Sequence, residues 1–301
     1  MPVSRLVRRL GIPRSTWYYW KRSEEQGRPV RRWPAPVVEE SLALAEDYAG
    51  RYSAWGHRKI WAMMRADGVK VSASSVLRAL RRLDLVLPAR YQAERRQLAR
   101  ARKSAFAEIP RRRNRVWQMD FTEFETLAGG TWQVCCVIDY ATKCALAAPV
   151  TATGTARDAV AALRAAIESA EALLGHGLAH DCVDKDTGEI APLRVVTDNG
   201  SPFKSDAFLR FFRERPFLEH IRTRHHAPQT NGVVERFNGS LKYEHLYRTE
   251  IYQAAELAEE VEAFLRLYNE VRPHEAIGFR RPLDIYRSDP HLFLGESVQQ
   301  G

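Results

Sequence analysis

Three carboxylates stand in settings that suit phosphoryl-transfer chemistry: Asp120 in VWQMDFTEF, Asp198 in VVTDNGSPF and Glu235 in QTNGVVERFNGSLKYE. Hard cations such as Mg²⁺ take oxygen ligands and keep several waters, so a few carboxylates suffice without a histidine or cysteine cage. Two such ions about 3.5–4 Å apart clamp the attacking and leaving oxygens of an in-line displacement. Glu235 opens a helical stretch in which Asn238 and Lys242 follow three and seven residues on, positions that share one face. A carboxylate, an amide and a cation would then address one groove. The cation suits a nucleic-acid phosphate, and the amide suits a base or the backbone. Taken singly, each acid has a plainer reading. Asp198 before Asn199-Gly200 fits a turn aspartate, Glu235 fits a carboxylate favoured by a helix N-terminus, and Asp120 fits an edge-strand charge. Asp139, Glu123 and Glu125 read as structural or surface groups.

The elements that must position these side chains begin near residue 116. VWQMDFTEF alternates as a strand, and TWQVCCVIDYAT and KCALAAPV add two more, rich in β-branched and aromatic residues. GTARDAVAALRAAIESAEALLG reads as a long helix, LRVVTDNG as a buried strand, and SDAFLRFFRER, VERFNGSLKYEHLYR and AAELAEEVEAFLRLYNEV as helices. Three strands, a helix, a strand and further helices give an α/β domain with a mixed sheet. Asp120 falls on the first strand. Asp198 ends the fourth, where α/β sheets place their ligands, and Gly200 is expected there for a tight backbone turn. GHGLAHDCVDKDTGEIAP reads as a surface hairpin, and residues 272–288 as an irregular extension.

The front of the chain has another character. Of the +9 formal charge, residues 1–115 hold 27 Lys/Arg against 10 Asp/Glu, most of the basic ones arginine, while the rest of the chain is mildly acidic. A basic module is the electrostatic footprint of nucleic-acid binding, and arginine suits bidentate contacts to phosphate and guanine. VSRLVRRLGIPRSTWYYWKR reads as two helices around a turn at Gly11, a helix-turn-helix spacing. The second helix would offer Arg14, Ser15, Thr16 and Tyr18; a generic helical hairpin is the plainer alternative. Residues 23–36 read as a linker. Residues 37–86 read as three more helices, the last capped by Ser72, with Val76, Leu77, Leu80 and Leu83 on one side and Arg78, Arg81 and Arg82 facing elsewhere. Trp61, Met63 and Met64 read as core. Residues 88–115 carry ten Lys/Arg, including Arg111, Arg112 and Arg113, and read as a phosphate track or a solvated linker. The four cysteines read as reduced, buried thiols with no zinc-finger spacing. No apolar run reaches the length of a membrane span and no apolar leader opens the chain, so a cytoplasmic protein is expected.

Several motifs recur in order. W-x-x-D-x-T stands at Trp117, Asp120 and Thr122; T-D-N-G-x-x-F runs from Thr197 to Phe203; P-Q-x-N-G-x-x-E-R-F-N runs from Pro228 to Asn238; Y-N-x-x-R-P-H runs from Tyr268 to His274, with Pro282 beyond. On these the chain resembles the orfB products of insertion-sequence-three family transposases, with a retroviral-integrase-like DDE core. RYSAWGHRKI resembles the family's second helix-turn-helix segment. The resemblance implies an RNase H-like fold. It makes Asp120, Asp198 and Glu235 the catalytic metal ligands for two Mg²⁺ ions, with Mn²⁺ as a substitute, and places Lys242 at terminal DNA. No retroviral-type zinc domain is present, and His225 and His226 are read without a metal role. The expected organisation is a helix-turn-helix at 1–24, a second helical module at 37–88, a basic linker at 89–112, the catalytic core at 113–271 and an extension at 272–301. The activity implied is metal-dependent cleavage and strand transfer at terminal inverted repeats in a prokaryotic cytoplasm. The partners implied are double-stranded DNA, a second copy or more of this chain, and an upstream orfA product. A catalytically silent DNA-binding regulator and an RNase H-like nuclease are the alternatives.

Overall fold

A computed structural model describes residues 3–9, 11–27, 39–86, 110–183, 188, 190–222 and 231–288. Residues 89–109 of the expected basic arm, His225, His226, the start of the P-Q-x-N-G motif and the tail beyond 288 lie outside the described residues. Two helices come first, α1 (Val3–Arg9) and α2 (Arg14–Glu25). The second helical unit follows: α3 (Glu39–Arg51), α4 (His57–Ala66) and α5 (Ala73–Arg82). Ser72 caps α5 as expected, its hydroxyl accepting from the Ser75 amide at 3.1 Å. Ile60, Met63 and Met64 of α4 and Val76, Ala79 and Leu80 of α5 close this unit's own core with Ala45 and Tyr48.

The second part is a mixed sheet. Its strands are β1 (Val116–Glu125), β2 (Thr131–Asp139), β3 (Ala145–Ala147), β4 (Val150–Thr151), β5 (Leu193–Thr197) and β6 (Leu218–Arg222). The order is β3-β2-β1-β5-β6, with β4 also on β2. β1, β2 and β3 pair antiparallel, and β5 and β6 add in parallel. This is the RNase H-like mixed sheet that the motifs imply. β1 lies in the middle, so Asp120 is no edge-strand charge. β6 was not foreseen from sequence: LEHIR buries only its first residue fully and lacks a clear alternation.

Period-two alternation sorts the central strands. Trp117 and Met119 of β1 and Cys135 and Val137 of β2 face α6 (Ala156–Leu174) and α7 (Asp206–Arg213). Phe124 of β1 and Val134, Cys136 and Ile138 of β2 face α8 (Gly232–Glu244) and α9 (Ala254–Arg266). Buried alanines at 159, 162, 166 and 170 let α6 lie close to the sheet. All four cysteines are free and buried. The segment expected as a surface hairpin begins with a 3-10 turn, Leu178–Cys182, whose Leu178 and Cys182 enter the core, and hairpin-like antiparallel pairing follows at the Val183–Ile190 bridge.

The last segment departs from the irregular extension expected. After a π-helical turn, Leu267–Val271, the chain forms a short helix, α10 (Pro282–Arg287), and Leu283 and Tyr286 pack into the α6 face of the sheet. The Tyr286 hydroxyl donates to Asn114 Oδ1 at 2.8 Å. The π turn aims Asn269 at the free edge of β3. Its Oδ1 accepts from the Ala145 amide at 2.9 Å and its Nδ2 donates to the Ala145 carbonyl at 2.8 Å. The same turn brings Leu267 and Val271 against the core of the second helical unit. There Glu244 at the end of α8 accepts from Lys59 of α4 at 2.8 Å and from Arg272 through two nitrogens at 2.8 Å each. Arg248 donates to Ser53 at 2.7 Å, and Trp61 meets Phe279 edge-on.

Candidate active site

Alternation along β1 turns Gln118 and Asp120 toward α8, the helix that carries Glu235. Asp120 is half-buried, and Asn238 Nδ2 donates to its Oδ2 at 3.1 Å. Burial, then the charges of Asp198 and of Glu235, push the Asp120 carboxyl up to about 7, against smaller pulls from the Phe121 backbone and the Asn238 amide. Asp198 and Glu235 therefore stand close enough to Asp120 for their charges to act on it. Among the described residues no group of three or more His, Cys, Asp or Glu is arranged, as it stands, to hold a metal ion.

Asp198 stands exposed just past β5 and folds back on its own turn, its Oδ1 accepting from the Gly200 amide at 2.9 Å. Gly200 has an ordinary φ of −57°, so a tight left-handed turn is not why glycine is there. A Cβ at this position would meet Asp198 Oδ1 at 3.0 Å. The glycine thus leaves room for the carboxylate. Behind Asp198, the Thr197 hydroxyl donates to the Asp198 carbonyl at 3.0 Å and lies 2.9 Å from His220 Nε2. His220 packs against Phe208 and Phe212, and burial lowers its imidazole to about 4.

Glu235 lies in the first turn of α8 and is half-buried; Lys242, two turns on, is also half-buried. Asn238, read from sequence as a DNA contact, is buried and engaged with Asp120, and its Oδ1 has no partner among the described residues. Gln118 went unnoticed in the sequence. It is fully buried, and its Oε1 accepts from the Val233 and Val234 amides at 2.9 and 3.0 Å. The only linear hint was an amide two residues before Asp120, on the same face of β1.

The residues read as DNA contacts divide. Arg14, Ser15 and Tyr18 are exposed on α2 and Thr16 is half-buried. Arg81 and Arg82 are exposed at the end of α5, while Arg78 is half-buried and donates to Ser75 Oγ. Arg111 is exposed and Arg112 half-buried. Arg113 is a correction: it turns inward, donating to Asp181 Oδ2 at 2.9 Å and to the carbonyls of Tyr286 and Ser288 at 2.8 and 3.0 Å. Its fork is consumed in holding α10 to the sheet, because a half-buried carboxylate and two free helix-end carbonyls converge there. Asp139, read as structural, is buried and accepts from Asn114 and Thr142.

Residues 110–228 and 218–282 each match a model described as an integrase core domain, together more than half of the chain. The InsD transposase of the IS2 elements of Escherichia coli is 26% identical over 290 residues, covering 95% of this chain and 91% of InsD. An uncharacterized 39.2 kDa protein of the insertion element IS476 of Xanthomonas euvesicatoria is 25% identical over 251 residues. That match covers 81% of this chain, which spans 64% of the IS476 protein's length. Among solved structures, the catalytic core domain of HTLV-2 integrase in complex with magnesium matches with a TM-score of 0.40 at 20% identity, over 58% of this chain and 97% of that one. The chain belongs to the insertion-sequence transposases built on a retroviral-integrase-like core.

Proposed function

We propose that this chain cleaves the ends of an insertion element and joins the resulting 3′-hydroxyls to a phosphodiester, with Asp120, Asp198 and Glu235 as the catalytic carboxylates. The observation that carries the reading is the setting of Asp120, whose burial, with the charges of Asp198 and Glu235 beside it, lifts its carboxyl to about 7. An oxygen-only cluster of acids that repel one another fits a hard divalent cation. Asp120, Asp198 and Glu235 would hold two Mg²⁺ ions, with Mn²⁺ as a substitute. Bound there, the ions supply Lewis-acid stabilisation of the phosphodiester oxygens and an activated water or hydroxyl. The chain's own residues do the rest. Asn238 orients Asp120, the space at Gly200 orients Asp198, and Lys242 holds a phosphate of the terminal DNA. No covalent protein–DNA intermediate is invoked.

The helical units would read the terminal repeats. α2 offers Arg14, Ser15, Thr16 and Tyr18, and α5 offers Arg81 and Arg82 with Arg78 at its flank. Arg111 and Arg112 would track phosphates between the modules. Two ends must be paired, so a dimer or larger assembly on double-stranded DNA is proposed. The test is a labelled duplex carrying the element's terminal repeat, incubated with protein and Mg²⁺ beside an Asp198→Ala variant. Nicked and joined products from the first and none from the second support the transposase. A duplex bound but left intact by both proteins, even after an orfA product is added, would sink it in favour of a DNA-binding regulator. Hydrolysis without joining would favour a nuclease.

A further inference from the structure

We infer that Gln118 is the positioning residue that sets Glu235 against Asp120, an inference that rests on reading those two as catalytic. The first amides of a helix have no partner within it and are usually met by the side chain of the residue that caps it. At α8 that residue is Asn231, which makes no capping hydrogen bond and whose buried Oδ1 has no partner among the described residues. The amides of Val233 and Val234 are met instead by Gln118 Oε1, reaching from the central strand at 2.9 and 3.0 Å. Gln118 lies two residues before Asp120 on the same face of β1, and Glu235 directly follows Val234. A single oxygen therefore ties the strand that bears one carboxylate to the turn that bears another. Gln118 also stands level with Val196 in the parallel β1–β5 pairing, two residues before Asp198. One turn along α8 the Asn238–Asp120 bond makes a second attachment. Two fixed points define both the slide and the rotation of α8 along β1, where either alone would leave the helix free to pivot.

A volume-matched Gln118→Met change removes the acceptor and leaves two buried amides unmet. Gln118→Glu keeps an acceptor in place, and a negative charge suits a helix N-terminus. Partners that orient metal-holding side chains typically contribute about 10–100-fold to metal affinity or rate. Three readouts test the role: amide exchange at Val233 and Val234, Mn²⁺ half-saturation followed by thermal shift without DNA, and the rate of end cleavage at saturating duplex. For Gln118→Met, exchange at the two amides should accelerate. Mn²⁺ half-saturation should rise and the cleavage rate fall, each at least about tenfold, with unchanged affinity for the duplex. Gln118→Glu should restore amide protection and most of the Mn²⁺ response. Wild-type Mn²⁺ affinity and cleavage in a folded Gln118→Met protein would overturn the inference. If that variant does not fold, slow exchange at Val233 and Val234 in the wild-type chain supports the clamp, and unprotected amides there refute it. Failure of the catalytic reading looks different, because Asp198→Ala would then leave cleavage intact whatever Gln118 does.

Discussion

At the scale of the residue, Asp120 bears a strain set first by its burial and then by its neighbouring carboxylates. The Asp120 carboxyl titrates near 7 in the folded chain against an ordinary value of 3.8. An acid whose folded pKa is raised costs stability as pH climbs from its ordinary value through the raised one. The metal-free protein should therefore lose stability between about pH 4 and 7 on this account and carry the penalty above it. Asp120→Asn should raise the melting temperature of metal-free protein at pH 8 by several degrees and abolish the additional rise that Mg²⁺ gives the wild type, while ending cleavage. A variant less stable than wild type at pH 8, or one still stabilised by Mg²⁺, would contradict this. Gly200 offers a second test of the same cleft. With a Cβ 3.0 Å from Asp198 Oδ1, Gly200→Ala must displace the carboxylate. Since φ there is unstrained, melting temperature should change little while cleavage falls several-fold, short of the roughly 100-fold cost of a full ångström of misplacement. Equal losses of stability and rate would place the damage in the turn itself.

At the scale of the element, β5 and β6 stand behind Asp198, and their link is His220. Burial among phenylalanines lowers its pKa to about 4, so the folded chain keeps it neutral. As pH falls below the ordinary histidine value of 6.5, the unfolded chain takes up a proton that the folded one resists. Stability is thus lost between about pH 6.5 and 4. His220→Gln should flatten that part of a stability–pH curve; an unchanged acid slope would exclude His220 as its source. How much of this was legible in the sequence follows from range. The three carboxylates, the helix at Glu235 and the cap at Ser72 are written in local order and spacing. β6 was not, because a half-exposed edge strand of mixed polarity lacks a period. Nor was α10, whose apolar residues declare themselves only once Asn114 and Arg113 are in place beside them. Gln118 and Arg113 were misjudged or missed for the same reason: their partners lie 115 and 68 residues away or more.

At the scale of the whole molecule, the second helical unit is joined to α8, the helix that carries Glu235, through buried charge. Burial raises the Glu244 carboxyl, but Arg272 and Lys59 outweigh it and hold it below the usual range. Arg272 has a side chain only 7% exposed, and removing one member of such a set strands the other. Arg272→Met should cost about 3–5 kcal/mol in chemical denaturation, and adding Glu244→Gln should recover part of it. Additive losses in the double variant would show that the two do not act together. A different consequence follows from Asn269. The outer edge of a sheet ordinarily exposes a row of amides and carbonyls that can recruit a strand from another molecule. At β3 a side-chain amide already occupies the Ala145 pair as a one-residue imitation of a neighbouring strand. On that side the sheet is sealed against growth. Copies of the chain gathered at high local density must meet there through side chains, without fusing into a continuous, fibre-like sheet.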